Sequence, residues 1–132
     1  LLDGAHNPAA ASVVAAYLRE YRCGHPQARI ILILGMMRDK DRRAILNILL
    51  PLADEVIFTS AQHPRAATVQ ELRASLPETA PAVREAPAPA EALVLARRLA
   101  GRDDLICVTG SLMLVGELKA TLGGCELSPI TG

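Results

Sequence analysis

The chain has 132 residues, enough for one domain that buries roughly two-thirds of its unfolded surface. Apolar residues make up 51% and charged residues 21%, and 14 basic side chains are cancelled by 14 acidic ones, so a folded globular domain is expected. There is no basic run and Tyr17, Tyr21 and Phe58 are the only aromatics, which gives nucleic-acid binding little support; the apolar stretches are short and broken by charge, so none spans a membrane.

The chain opens on Leu1-Leu2, which reads as the tail of a strand, followed by the turn Asp3-Gly4-Ala5-His6-Asn7-Pro8. Starting inside a turn with no initiator methionine implies a piece of something longer, whose visible residues would be half of a site. Pro8 to Arg22 reads as a helix: Asn7 can cap it, Pro8 suits its first turn, and Val13, Val14, Tyr17, Leu18 and Tyr21 share one broad face. Arg29 to Leu34 is a near-continuous apolar run closed by Gly35, the pattern of a strand buried on both faces. A helix over Asp41 to Leu50 and a strand over Glu55 to Thr59 follow. Thr68 to Leu76 is the next predicted helix, with Thr68 and Glu71 at capping-box spacing.

Prolines at 77, 81, 87 and 89 leave room only for a short edge strand near Val83. Ala90 to Ala100 is predicted helical, Leu105 to Val108 a strand, and Ser111 to Leu122 a helix. Residues 124–132 read as a loose tail with room for a final short strand, and the whole of 1–132 reads as a single domain. Cys23, Cys107 and Cys125 are too few and too scattered for a disulfide framework or a zinc knuckle, so a reducing cytoplasm is the natural setting.

Strand and helix alternate throughout, which predicts an α/β fold of the Rossmann-like, three-layer kind. Such sheets take ligands beyond the carboxyl ends of their strands, where strand order reverses. Three polar, glycine-containing turns fall on that edge: Asp3 to Asn7, Gly35 to Asp41, and Thr109 to Ser111. In the first, Asp3 can accept from ribose hydroxyls, His6 can donate to a phosphate or hydroxyl, and the helix opened by Asn7 favours an anion. The plainer alternative is that Asp3 and Asn7 only tie down a tight turn. In the second, Lys40 can bind a carboxylate or phosphate while Asp39 and Asp41 hold it or cap the next helix; a self-paired surface loop explains the same residues. In the third, Gly110 permits close backbone approach, and Ser111 either caps the helix or meets a bound anion. His63-Pro64-Arg65 follows another strand and either borders the same edge or, the safer reading, forms a loop turn. No metal-binding set, phosphate loop or Gly-x-Gly-x-x-Gly fingerprint is present, so any catalytic site here is partial.

Three segments carry a resemblance: Leu2-Asp-Gly-Ala-His-Asn-Pro8, Gly35-Met-Met-Arg-Asp-Lys-Asp41 and Val108-Thr-Gly-Ser-Leu-Met-Leu-Val-Gly-Glu-Leu118. In this order and spacing they resemble the C-terminal domain of the Mur ligase superfamily, and within it the folylpolyglutamate synthase/dihydrofolate synthase branch. Peptidoglycan ligases more usually have Tyr at the position of Gly4. The resemblance implies a mostly parallel sheet with an antiparallel edge strand, and an enzyme that couples ATP cleavage to amide formation between a folate (or dihydropteroate) carboxylate and L-glutamate through an acyl phosphate. It implies that Asp3, His6 and Asn7 meet ATP, that Lys40 and Ser111 hold glutamate, and that Gly4, Asp39, Asp41 and Gly110 support them. The phosphate loop and the Mg2+ ligands would belong to a larger N-terminal ATPase domain, leaving this piece inactive alone. A peptidoglycan-type ligase domain and a non-catalytic nucleotide-binding α/β module stay open as alternatives.

Overall fold

A computed structural model describes residues 1–122. Four strands, β1 (Ile30–Leu34), β2 (Glu55–Phe58), β3 (Val83–Glu85) and β4 (Leu105–Thr109), form one sheet in the order β3-β2-β1-β4. Every strand pair is parallel. The opening residues extend the sheet past β4. Leu2 bridges Val108 in the parallel sense, the Val108 N–H donates to the Leu1 carbonyl at 2.8 Å, and the Asp3 N–H donates to the Val108 carbonyl at 2.9 Å. β3 lies at the opposite edge, as the prolines around Val83 predict. The antiparallel edge strand implied by the resemblance is not found among the described residues, and the candidate strand and loose tail beyond residue 124 lie outside them.

Five helices cover the sheet: α1 (Pro8–Gly24), α2 (Arg42–Leu49, continued by a 3-10 turn at Leu50–Leu52), α3 (Val69–Ala74), α4 (Pro89–Leu99) and α5 (Leu112–Leu122). The alternation of a strand sorts its side chains between two cores. Ile30, Leu32 and Leu34 join Val14, Leu18, Leu46 and Leu72, whereas Ile31 and Ile33 join Ala92, Ala96, Leu114 and Leu118. α1, α2 and α3 therefore pack on one face and α4 and α5 on the other. All five residues of β1 are buried, which is why its sequence shows no polar alternation. Cys107 packs in the first core, where burial pushes its thiol up to about 12, and Cys23 is exposed.

Local chemistry sets the helix ends. The Asn7 side chain accepts from the Ala10 N–H at 2.8 Å and Pro8 occupies the first turn of α1. Thr68 and Glu71 form the reciprocal capping box expected for α3. The chain runs outward through β1, β2 and β3, then returns to the other side of β1 to make β4. Strand order thus reverses between β1 and β4, and their carboxyl ends frame a crevice.

Candidate functional site

Two turns meet at that crevice. Gly110, after β4, has φ +109, and a β-carbon there would overlap the Gly35 carbonyl oxygen that follows β1. The Gly35 N–H also donates to the Thr109 carbonyl, at 3.4 Å. Glycine is needed at residue 110 both for its backbone angle and for this close approach. The first turn arrives beside them because Leu2 pairs with β4.

A cavity of about 220 Å³ opens between the turns, with His6, Lys40, Ser111, Asp39 and Arg65 on its polar side. Met37, Leu112 and Met113 supply its apolar wall. His6, Lys40 and Ser111 come from three separate turns, so the sequence-predicted convergence is observed. His6 Nδ1 lies 3.0 Å from the Gly4 carbonyl, which can only accept; Nδ1 therefore carries the hydrogen and Nε2 is left for a ligand. The Ser111 hydroxyl oxygen accepts from the Met113 and Leu114 N–H groups at 3.1 and 3.3 Å, capping α5. Its own hydrogen donates to no group among the described residues, so capping and ligand binding are compatible in one side chain. Lys40 and Arg65 form no salt bridge among the described residues. Asp41 is occupied elsewhere, because its Oδ1 accepts from the Ala44 N–H at 3.2 Å and caps α2.

The sequence offers Arg65 as part of a loop turn or of a segment bordering the same edge, and the structure places it at that edge. It reaches the cavity because the segment after β2 is stitched to the segment after β1. Met37 and Ala66 form an antiparallel bridge, the Arg38 N–H donates to the Arg65 carbonyl at 2.7 Å, and the Ala67 N–H donates to the Met36 carbonyl at 2.8 Å. Arg38 is itself held by both carboxylate oxygens of Glu71 on α3, at 3.2 and 3.0 Å.

Asp3 does not line the cavity. It is 2% exposed, its Oδ1 accepts from the Ala5 N–H at 2.9 Å, and its Oδ2 has no partner. Burial holds its carboxyl above the usual carboxylate range, partly offset by the Ala5 N–H. Thr59 Oγ1 and Thr109 Oγ1 are likewise buried without a partner. All three orphaned oxygens stand where the chain leaves the sheet at this rim. Gly4 closes the first turn under Leu112, whose side chain a β-carbon at residue 4 would overlap. Asn7 is occupied as the α1 cap.

The family described as "Mur ligase, glutamate ligase domain" matches residues 1–112, a stretch that includes all three turns. This chain belongs to that family. The chain is also 35% identical, over 122 residues, to the curated "probable bifunctional folylpolyglutamate synthase/dihydropteroate synthase" of Haloferax volcanii, a match covering 92% of this chain and 14% of the relative. A solved bifunctional folylpolyglutamate synthase/dihydrofolate synthase from Yersinia pestis, complexed with AMPPNP and a Mn ion, matches with a TM-score of 0.81 at 29% identity, over 92% of this chain and 28% of that one. Another structure of such an enzyme, with Mn, AMPPNP and L-glutamate bound, matches with a TM-score of 0.80 at 29% identity, over 92% of this chain and 29% of that one. The chain thus spans a small part of the proteins it resembles.

Among the described residues there is no group of three or more His, Cys, Asp or Glu side chains that could hold a metal ion. No described helix is long and apolar enough to cross a membrane.

Proposed function

We propose that this domain is the C-terminal part of an ATP-dependent cytoplasmic ligase that joins L-glutamate to a folate, and to dihydropteroate where the enzyme is bifunctional, by way of an acyl phosphate. The observation that carries the reading is the convergence of His6, Lys40 and Ser111 in one small cavity, inside the stretch matched to the family. Bound nucleotide analogue, Mn and L-glutamate in a similar enzyme point the same way.

In this reading the Lys40 ammonium and the Ser111 O–H hold a carboxylate of the incoming glutamate. His6 Nε2 meets the ribose or α-phosphate of ATP, and the free Asp3 Oδ2 accepts from a ribose hydroxyl once the first turn adjusts around the nucleotide. Asn7 supports that turn by keeping α1 capped, with the positive end of the helix dipole toward phosphate. Gly4, Asp39, Asp41 and Gly110 shape the turns. Mg2+ is assigned mainly to an N-terminal ATPase domain, whose closure over this rim would cover the exposed Leu112 and Met113 and exclude water. The contribution of the chain's own residues is orientation: an amine held at the right distance from an activated carbonyl gains most of its rate from proximity.

The test is to supply the complete gene product with ATP, Mg2+, labelled L-glutamate and either tetrahydrofolate or dihydropteroate. Formation of a glutamyl amide is expected. Incorporation into a peptidoglycan precursor instead, or into no acceptor at all, would overturn the proposal.

A further inference from the structure

We infer that Arg65 reads the second carboxylate of the incoming amino acid, so that the cavity selects a dicarboxylic amino acid. The inference rests on the glutamate-ligase reading and adds to it a specificity residue from a fourth segment of the chain. Its basis is the charge pattern of the cavity. Lys40 and Arg65 contribute two cations with no salt-bridge partner among the described residues, and Asp39 contributes one anion. Glutamate presents the converse, two carboxylates and one ammonium. With His6 counted as neutral, a site of net charge +1 faces a ligand of net charge −1.

Backbone geometry makes both cations dependable. The Arg65 N–H donates to His63 Nδ1 at 3.1 Å and its carbonyl accepts from Arg38 at 2.7 Å, so both backbone groups are pinned. The Lys40 N–H donates to the Met37 carbonyl at 3.3 Å, and the Lys40 carbonyl accepts from the Arg42 N–H at 2.9 Å. Each charge projects from a fixed main chain, one on each of the two segments that the Met37–Ala66 bridge joins. An arginine offers a carboxylate two parallel N–H donors, which a lysine cannot. The apolar wall of Met37, Leu112 and Met113 suits the methylene stem between two carboxylates.

The experiment compares L-glutamate with L-glutamine, which lacks the side-chain carboxylate, and with isoglutamine, which lacks the α-carboxylate. Kinetics are measured on the complete gene product. The unaltered enzyme should reject both analogues strongly, because each leaves a cation unpaired. Arg65→Ala should raise the glutamate KM about ten- to a hundredfold with little change in the ATP KM, and should relax discrimination against one analogue only. Lys40→Ala should relax discrimination against the other. Arg65→Lys should restore part of the glutamate affinity; because Arg65 is exposed, both variants should melt as the unaltered protein does. If Arg65→Ala keeps both discrimination ratios, or relaxes both equally, the inference fails while the ligase reading stands. An unaltered enzyme that makes no glutamyl amide removes the ligase reading and this inference with it.

Discussion

The Gly35 carbonyl oxygen occupies the space that a β-carbon on Gly110 would need, so the turns bearing Lys40 and Ser111 are locked together through their main chains. Gly110 also sits at φ +109, where side-chain-bearing residues are strained by about 1–3 kcal/mol. Gly110→Ala should therefore lower the unfolding free energy by at least that amount in urea titrations, and should raise the glutamate KM because the turns bearing Lys40 and Ser111, proposed to hold the carboxylate, are displaced. Unchanged stability in that variant would mean the contact is easily relaxed.

Lys40→Ala and Ser111→Ala should separate binding from stability. Lys40 holds no ion pair among the described residues, so its truncation should leave the melting temperature unchanged while raising the glutamate KM about tenfold or more. Ser111 caps α5 as well, and its loss should also cost about 1 kcal/mol of stability. Steady-state kinetics beside thermal melts would expose the contrast; equal melting temperatures for the two variants would argue against the capping role.

Asp3 predicts an unusual pH dependence. Its folded carboxyl titrates above the unfolded value of about 3.9, so the folded state binds more protons across that window and stability falls as pH rises through it. Asp3→Asn keeps an acceptor for the Ala5 N–H and removes the titration. The variant should gain stability relative to the unaltered protein as pH rises from the unfolded to the folded value, yet use ATP less well. Denaturation curves across that pH range, with the ATP KM, provide the check.

Asp104 should behave in the opposite sense. Its Oδ1 accepts from the Arg29 N–H at 2.9 Å and its Oδ2 from the Gly101 N–H at 2.7 Å, and these bonds, with the Arg29 guanidinium at 3.3 Å, hold its carboxyl below the usual range. The unfolded state then binds more protons below about pH 3.9, so this contribution is present at neutral pH and is lost as pH falls through the folded value. Asp104→Asn should be destabilised at pH 7 and should lose part of the acid sensitivity. A variant with an unaltered pH profile would show that the contacts do not bias titration.

Some elements are legible because one residue type settles them locally. The run Ile30-Ile31-Leu32-Ile33-Leu34 reads as a strand covered on both faces, and Thr68 with Glu71 marks a helix start without reference to anything distant. The three turns are legible for the same reason, since each is a short polar segment after an apolar run. Arg65 is only partly so. The strand before it puts it near the edge, but its place at the cavity depends on the Met37–Ala66 bridge, a pairing between segments far apart in the chain that leaves no periodicity in either. The burial of Asp3 is equally hidden, because it comes from the pairing of Leu2 with Val108, which draws the turn against the sheet edge; the bond from the Ala5 N–H is the turn-tying contact that the sequence offers as the plainer reading. Asn7 and Asp41 show the converse: their capping is visible in sequence, and capping is what their side chains do.

The stitch between Met37 and Ala66 has one more implication. It ties Arg65 to the β1–β2 half of the sheet beside Lys40, whereas His6 hangs from the outer edge and Ser111 follows β4 itself. The crevice is therefore built from both halves of the sheet, and any displacement of one half against the other changes the spacing of all four side chains at once.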